Sequence, residues 1–400
     1  MAKGLIQAAC NGFGEHAGSA YFFHGEHYVR YDWKKDHASD GYPQNLALWR
    51  LPEPFRSGVD AVIDGQESFV GNTYFFKDGS YVRYSWARDA VDRGPSSVAS
   101  WGLTGDLERF DTVLNGRGRF ARYAYFFRGP SYVAFDWVLD RLDPTLRPLA
   151  AWKLPGEFAG GVDAAVSGVG PYDTSSYFFK AHRYVRYAWD TDATDQPRDV
   201  AGTWWGVPEL LMVGDARAQA LRWVAAARAA LGAYVSGGGS APGVTGAALA
   251  THFRLTADRV AESRLFYART VLDIYDRVAA ALTATPSPFR ARTDGEARQD
   301  KGTAADGTPY PMYTVFGQHI SATRVFTTFG PLCRAAMVLH EPVHYVDQKA
   351  DSSNDIYEHK PGYSTMTIDQ AVHNPSSYAC FAQHVFYGSD ERYGAARRNE

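Results

Sequence analysis

The sequence predicts a multidomain chain, β then mainly α, with a four-bladed β-propeller over residues 1–212 and a mainly helical domain over residues 213–400. Three observations carry the prediction: a segment repeated four times, an excess of aromatic residues, and a change of hydrophobic period from two to about 3.6 after Gly214.

The repeat is the strongest signal. YFFHGEHYVRYDW from Tyr21 returns as YFFKDGSYVRYSW from Tyr74, YFFRGPSYVAFDW from Tyr125 and YFFKAHRYVRYAW from Tyr177, at intervals of 53, 51 and 52 residues. Each copy is two aromatic or β-branched runs joined by a short polar turn, the mark of a hairpin. A leading strand is expected at Val59–Val62, Phe110–Val113 and Val162–Ala165, and a Trp-centred segment trails each copy at Trp49, Trp101, Trp152 and Trp204. Four strands in about 50 residues is the size of one propeller blade. Such a blade cannot bury both faces alone, so rings stack between blades, which accounts for an aromatic content of 14%.

A net charge of −3 gives no electrostatic attraction to nucleic acid, and no stretch has the length of a membrane span. The three cysteines do not make a disulfide framework, although Cys333 and Cys380 share the second half. The opening residues lack the apolar run of a secretory signal. A cytoplasmic location, or export by a route that needs no cleaved signal, is therefore expected.

The leading Val-Asp-Ala, the YFF-to-YVRY hairpin and the trailing Trp-x-Leu-Pro together resemble hemopexin-like repeats. The resemblance implies a recognition module whose face binds a protein or glycan partner, with a channel that can hold a structural cation on backbone groups. Haem is not expected, because the namesake's haem site lies between two propellers. Family members usually tie the first and last blades with a disulfide. Cys10 has no partner near the end of the fourth copy, so closure is expected to rest on packing alone. Asp60, Asp111 and Asp163 recur at one position, where strand-end hydrogen bonding and ion binding are both open.

In the second half, Asp215 is expected to cap a helix through Leu221, Val224 and Leu231, and Gly237–Ser240 to break it as a flexible connector. Thr256 is placed as the cap of a second helix ending before Pro286, and Tyr313–Phe316 as an edge strand. The segment PLCRAAMVLHEPVHYVD, residues 331–347, then reads as a helix with Leu332, Ala336, Leu339, Val343 and Val346 on one buried face.

His340 and His344 lie four residues apart on that helix, so both imidazoles project from one side and can share a zinc ion, with Glu341 beside them as a general base. The His and Glu content of the chain yields this HExxH pattern by chance roughly once in fifty such sequences. Pro342 sits inside the motif, where it removes one helical hydrogen bond and clashes with the carbonyl of Val338, at about 3 kcal/mol in an ordinary helix; a local distortion is expected. For the third ligand, Ala350 stands where one zincin pattern has His, and residues 363–368 lack the Glu of another. That leaves Asp355, His359 or Glu358, with Asp351 behind them.

HEPVH, SSNDIY at 352–357 and QAVHNPSSYACFAQ at 370–383 are together similar to the aspzincin metallopeptidases, the deuterolysin and peptidyl-Lys metalloendopeptidase group. That resemblance implies Asp355 as third zinc ligand, Tyr357 as a donor to the oxyanion, and a later helix carrying Asn374, Tyr378, Phe381 and Ala382. The acidic residues that read a substrate lysine appear as Ser376 and Ala379, which argues against lysine specificity. His373 and His384 are placed as hydrogen-bond donors behind the ligands if their helix crosses the site.

These readings converge on a zinc-dependent metalloendopeptidase acting on a protein or peptide substrate. Two other classes fit the same architecture: a non-catalytic binding protein of hemopexin type, and an effector or toxin exported without a signal peptide.

Overall fold

Each repeat folds into one antiparallel sheet whose strands pair in chain order, because short hairpins join neighbours. The four sheets begin with the short strands Ala8–Asn11, Ala61–Asp64, Thr112–Asn115 and Ala164–Ser167. Each of these packs beside its counterparts in the two adjoining blades, including the first beside the fourth, so they form a closed ring around the channel. The N-terminal half is therefore a four-bladed propeller and the remainder is mainly helical. The computed structural model describes residues 3–394 apart from Pro242, Ala305 and Ser352. Its two compact units are 1–39 with 43–211, and 40–42 with 212–400.

The leading strands begin two residues later than their sequence suggests. Asp60, Asp111 and Asp163 end the preceding turn instead: their carboxylates accept from the hairpin amides of Asp78, Gly129 and Ala181 at 2.8, 2.6 and 2.7 Å. Three of the four Trp-centred segments are single 3₁₀ turns, Leu46–Trp49, Val98–Trp101 and Leu149–Trp152. Each turn delivers its indole to the gap between blades. Trp101 meets Tyr74 edge-on at 4.8 Å in its own blade and Phe135 at 5.0 Å in the next. Trp204 does the same between the fourth and first blades, against Tyr177, Tyr31 and Phe22 at 5.0, 5.2 and 5.2 Å.

Closure does not rest on packing alone, contrary to expectation. Where the innermost strands end, the Asn11 amide donates to the carbonyl of Ser167 at 2.8 Å, joining first blade to fourth. Asn115 reaches the carbonyl of Asp64 at 2.7 Å, and the Asn11 backbone N–H donates to the Asp64 carboxylate at 3.0 Å. All three cysteines are buried and none is in a disulfide, so the ring has no covalent clasp and Cys333 and Cys380 are not bridged.

α1 (Val207–Ser236) begins in the first unit and continues in the second, which also contains α2 (Val244–Phe253), α3 (Ala261–Thr283), α4 (Asp294–Asp300), α5 (Pro331–Val346), α6 (Ile368–Val372) and α7 (Pro375–Tyr387). Asp215 lies inside α1, which starts eight residues earlier, and Thr256 precedes α3 by a turn and does not cap it. Strand Met312–Val315 is the edge of a three-stranded sheet whose centre is His319–Ala322, with Phe289–Ala291 on the far side. α5 packs against α7, α3 and that edge strand. It is buried on all sides from Ala335 to Val343, wider than the single face its period suggests. Among the described residues no helix is long and apolar enough to cross a membrane.

Candidate metal centre

α5 runs unbroken through Pro342, so the four-residue spacing of His340 and His344 is translated into two imidazoles on one side, ring centres 5.0 Å apart. The loop after α5 returns Asp355 to them: one carboxylate oxygen lies 3.4 Å from His340 Nε2 and the other 3.7 Å from His344 Nε2. One donor atom from each of the three residues falls within 4.8 Å of the others. His340 Nε2 and Asp355 Oδ1 are both buried and neither makes a hydrogen bond. Buried polar atoms are seldom left so, and two imidazoles with a carboxylate are a donor set that suits zinc, so the residues fit the ion their pattern implies.

The second nitrogens of the imidazoles are directed from behind. His344 Nδ1 meets the carbonyl of Ala350, and Ser376 Oγ lies 3.4 Å from His340 Nδ1. Position 350, which carries no ligating side chain, thus contributes its backbone to orienting His344. The loop carrying Asp355 is held by Asn374, fully buried at the N-terminus of α7, whose amide accepts from Ile356 N at 3.1 Å and donates to Ile356 O at 2.9 Å. α7 is fixed in turn where Tyr378 OH donates to Val372 O and Tyr275 OH donates to Tyr378 O, both at 2.7 Å. Ser352, at the start of that loop's motif, lies outside the described residues.

Burial opposes protonation of His344, but Asp355, Glu341 and the Ala350 carbonyl outweigh it and raise its pKa above the ordinary imidazole value. Burial would likewise favour a protonated Asp355; the His340 and His344 imidazoles reverse this and hold its carboxyl below the usual range. Asp355 and the imidazoles therefore attract each other even without an ion.

Glu341 is buried beside the ligands, and its Oε2 accepts from Thr314 Oγ1 at 2.7 Å. The same hydroxyl reaches the backbone carbonyl of Glu341 at 3.1 Å. Tyr357 stacks on His340, ring planes 10° apart and centres 5.5 Å apart. Burial, reinforced by Asp355, Glu341 and Glu358, raises its phenol far above the ordinary value, so it stays protonated and able to donate. His340, Glu341 and Tyr357 line one cavity of about 420 Å³, together with Met337, Phe329 and Tyr310.

Of the other candidates, Glu358 and His359 line the cavity and approach each other at 3.8 Å, outside the ligand cluster. Asp351 is exposed and engaged by Ser353. His373 bonds Asp347 at 2.7 Å, and His384 bonds His252 at 3.1 Å; neither reaches a ligand. His252, His384 and Asp390 form a second group of ligating types, but Asp390 is held by Arg392 and His252 Nδ1 by Tyr363 OH. Nothing local in the sequence marks Thr314: the strand around it is legible, but its hydroxyl meets a glutamate 27 residues on.

Comparison with known proteins bears on the propeller. Part of the chain is 29% identical over 106 residues to macrophage metalloelastase of Oryctolagus cuniculus, and 28% over 107 residues to neutrophil collagenase of Homo sapiens. These matches cover 26% and 27% of this chain and 21% of each relative, so the chain spans about a fifth of the length of the curated relatives it matches. Among solved structures it is similar to the hemopexin fold protein CP4 from cow pea (TM-score 0.43, 19% identity, 50% of this chain and 96% of that one). It is likewise similar to LS24, a seed albumin from Lathyrus sativus (TM-score 0.43, 20% identity, 51% and 96%). No family model matches. The class defined is a hemopexin-like propeller with a mainly helical unit that carries groups able to hold a metal.

Proposed function

We propose that the chain is a zinc-dependent metalloendopeptidase in which residues 213–400 form the catalytic domain and the propeller, residues 1–212, selects the protein substrate or partner. The observation that carries this reading is the convergence of His340, His344 and Asp355 beside a buried carboxylate, Glu341, that lines a cavity together with His340. His340, His344 and Asp355 would hold the ion. Zinc, when bound, supplies the Lewis acidity that makes water nucleophilic at neutral pH and polarises a peptide carbonyl.

Glu341 accepts the proton of the attacking water and delivers it to the departing amine nitrogen. The Thr314 hydroxyl holds one carboxylate oxygen, leaving the other for that transfer. Tyr357, protonated and on the cavity wall, donates to the oxygen that becomes negative as the carbonyl is attacked. Met337, Phe329 and Tyr310 give the wall an apolar stretch for a substrate side chain. The aspzincin resemblance supports the same assignment of ligands, and the relatives that part of the chain matches are named a metalloelastase and a collagenase.

The test is a peptide-library cleavage screen of the zinc-loaded chain against Glu341→Gln. Cleavage by the parent, its loss in the variant and an unchanged zinc content are expected. Retained cleavage in the variant refutes the mechanism, and a parent without cleavage on any library favours a binding protein.

A further inference from the structure

Four residues occupy one position in the four blades, just before the innermost strands: Gln7, Asp60, Asp111 and Asp163. In each, the side chain is spent on a hairpin amide, and Gln7 Oε1 accepts from Gly25 N at 2.9 Å as the three aspartates do from theirs. Their backbone carbonyls converge on one point near the channel axis. That point holds the ammonium of Lys3, whose three N–H bonds are shared among four carbonyls: Gln7 O at 2.9 Å, Asp163 O at 3.0 Å, and those of Asp60 and Asp111. One carbonyl from every blade thus meets a single positive charge.

The approach of Lys3 is fixed by its neighbours. Gly4 N donates to the Asp163 carboxylate at 3.0 Å, and Leu5 N to the Ala181 carbonyl at 3.3 Å. A Cβ at position 4 would lie 2.5 Å from the Ala181 backbone, so glycine is what allows the segment to lie this close. Burial lowers the Lys3 pKa to about 8 against the pull of Asp60, Asp111 and Asp163, so the ammonium keeps its charge at neutral pH. A ring of four carbonyls backed by three carboxylates is an all-oxygen site of the kind that calcium accepts, completed by water.

We propose that Lys3 is a cation built into the chain: its ammonium fills the carbonyl ring of the channel, joins the four blades, and keeps out a divalent cation of the calcium type that the ring would otherwise take. The propeller is then independent of calcium only while Lys3 is in place, and its removal creates a calcium site where the parent has none.

The full-length parent and Lys3→Ala, both loaded with zinc first, are titrated with calcium by calorimetry and melted with and without millimolar calcium. The proposal expects the variant to melt several degrees lower, to bind one more calcium than the parent, and to recover the lost melting temperature when that ion is present. A variant that melts like the parent, or that is destabilised and gains no calcium site, overturns it, as does a parent that binds calcium with the stoichiometry and affinity of the variant. If Lys3→Ala fails to fold without calcium, it is refolded with calcium present: recovery of the native spectrum supports the proposal and failure to recover overturns it. None of these readings depends on peptidase activity.

Discussion

Removing the Thr314 hydroxyl tests whether Glu341 acts as a held base. Thr314→Val keeps the shape of the side chain and the β-branching that suits an edge strand, and deletes only the bond of 2.7 Å to Glu341 Oε2 and its weaker companion at 3.1 Å to the backbone. Glu341 is buried, at 7% exposure, so no bulk water stands ready to replace the donor. A hydrogen bond to a charged acceptor contributes about 1.5–3 kcal/mol. At about 1.4 kcal/mol per tenfold in rate, full loss of the orienting effect in the transition state lowers kcat roughly ten- to a hundredfold. KM should hold, since the hydroxyl addresses the base and not the substrate. The assay is steady-state cleavage of a fluorogenic peptide drawn from the library screen, with zinc content measured in parallel and Thr314→Ser as the control that restores the donor. Full activity in the Val variant, or a Ser variant as impaired as Val, would refute the account of Glu341.

Three further outcomes follow from other parts of the molecule. Asp355→Ala should reduce bound zinc to well under one ion per chain by elemental analysis while the far-ultraviolet spectrum stays that of the parent; stoichiometric zinc would return the third-ligand question to Glu358 and His359. Trp204→Ala opens a cavity between the fourth and first blades and should destabilise the propeller by about 3–5 kcal/mol, the usual range for a buried Trp, read as a shifted denaturant midpoint; a loss under about 1 kcal/mol would mean that the hydrogen-bonded ring closes the fold without it. His252 is held neutral, burial lowering its pKa more than Asp390 raises it. Its folded value lies below the unfolded one near 6.5, so the stability it contributes is complete above that pH and is lost as pH falls through the folded value. The melting temperature of the second unit should therefore fall on acidification below about pH 6.5, and His252→Gln should flatten that dependence.

The architecture was legible where residue type alone decides it. The four hairpins repeat one register, with Tyr21–Arg30, Tyr74–Arg83 and Tyr177–Arg186 as equivalent pairs, because a pleated ladder leaves no freedom once the turn is set. His340, Glu341 and His344 were legible for the same reason, since helical spacing fixes which way they point. α2 was not: no element is expected between the connector Gly237–Ser240 and Thr256, and the helix forms because Ala248, Leu249 and Phe253 are buried, partly against α7. The start of α1 was misplaced because Asp215 is a good capping residue that tertiary packing leaves inside the helix. Thr314, Ser376 and the clamp by Asn374 join segments far apart in sequence, and no local pattern encodes such a meeting. Asn374 came closest, through the aspzincin resemblance, yet its grip on Ile356 is visible only in three dimensions.

The absence of a disulfide bears on how redox potential affects the propeller. Cys10 and Cys380 are sealed in packed interiors, and burial pushes both well above the ordinary thiol pKa, so little reactive thiolate forms at neutral pH. Neither thiol is poised to be oxidised, and no covalent bond in the propeller depends on an oxidant to form or on a reductant's absence to persist. The ring is closed by indoles, amides and an ammonium, whose interactions are insensitive to redox potential. The closure of the propeller is therefore the same under reducing and oxidising conditions.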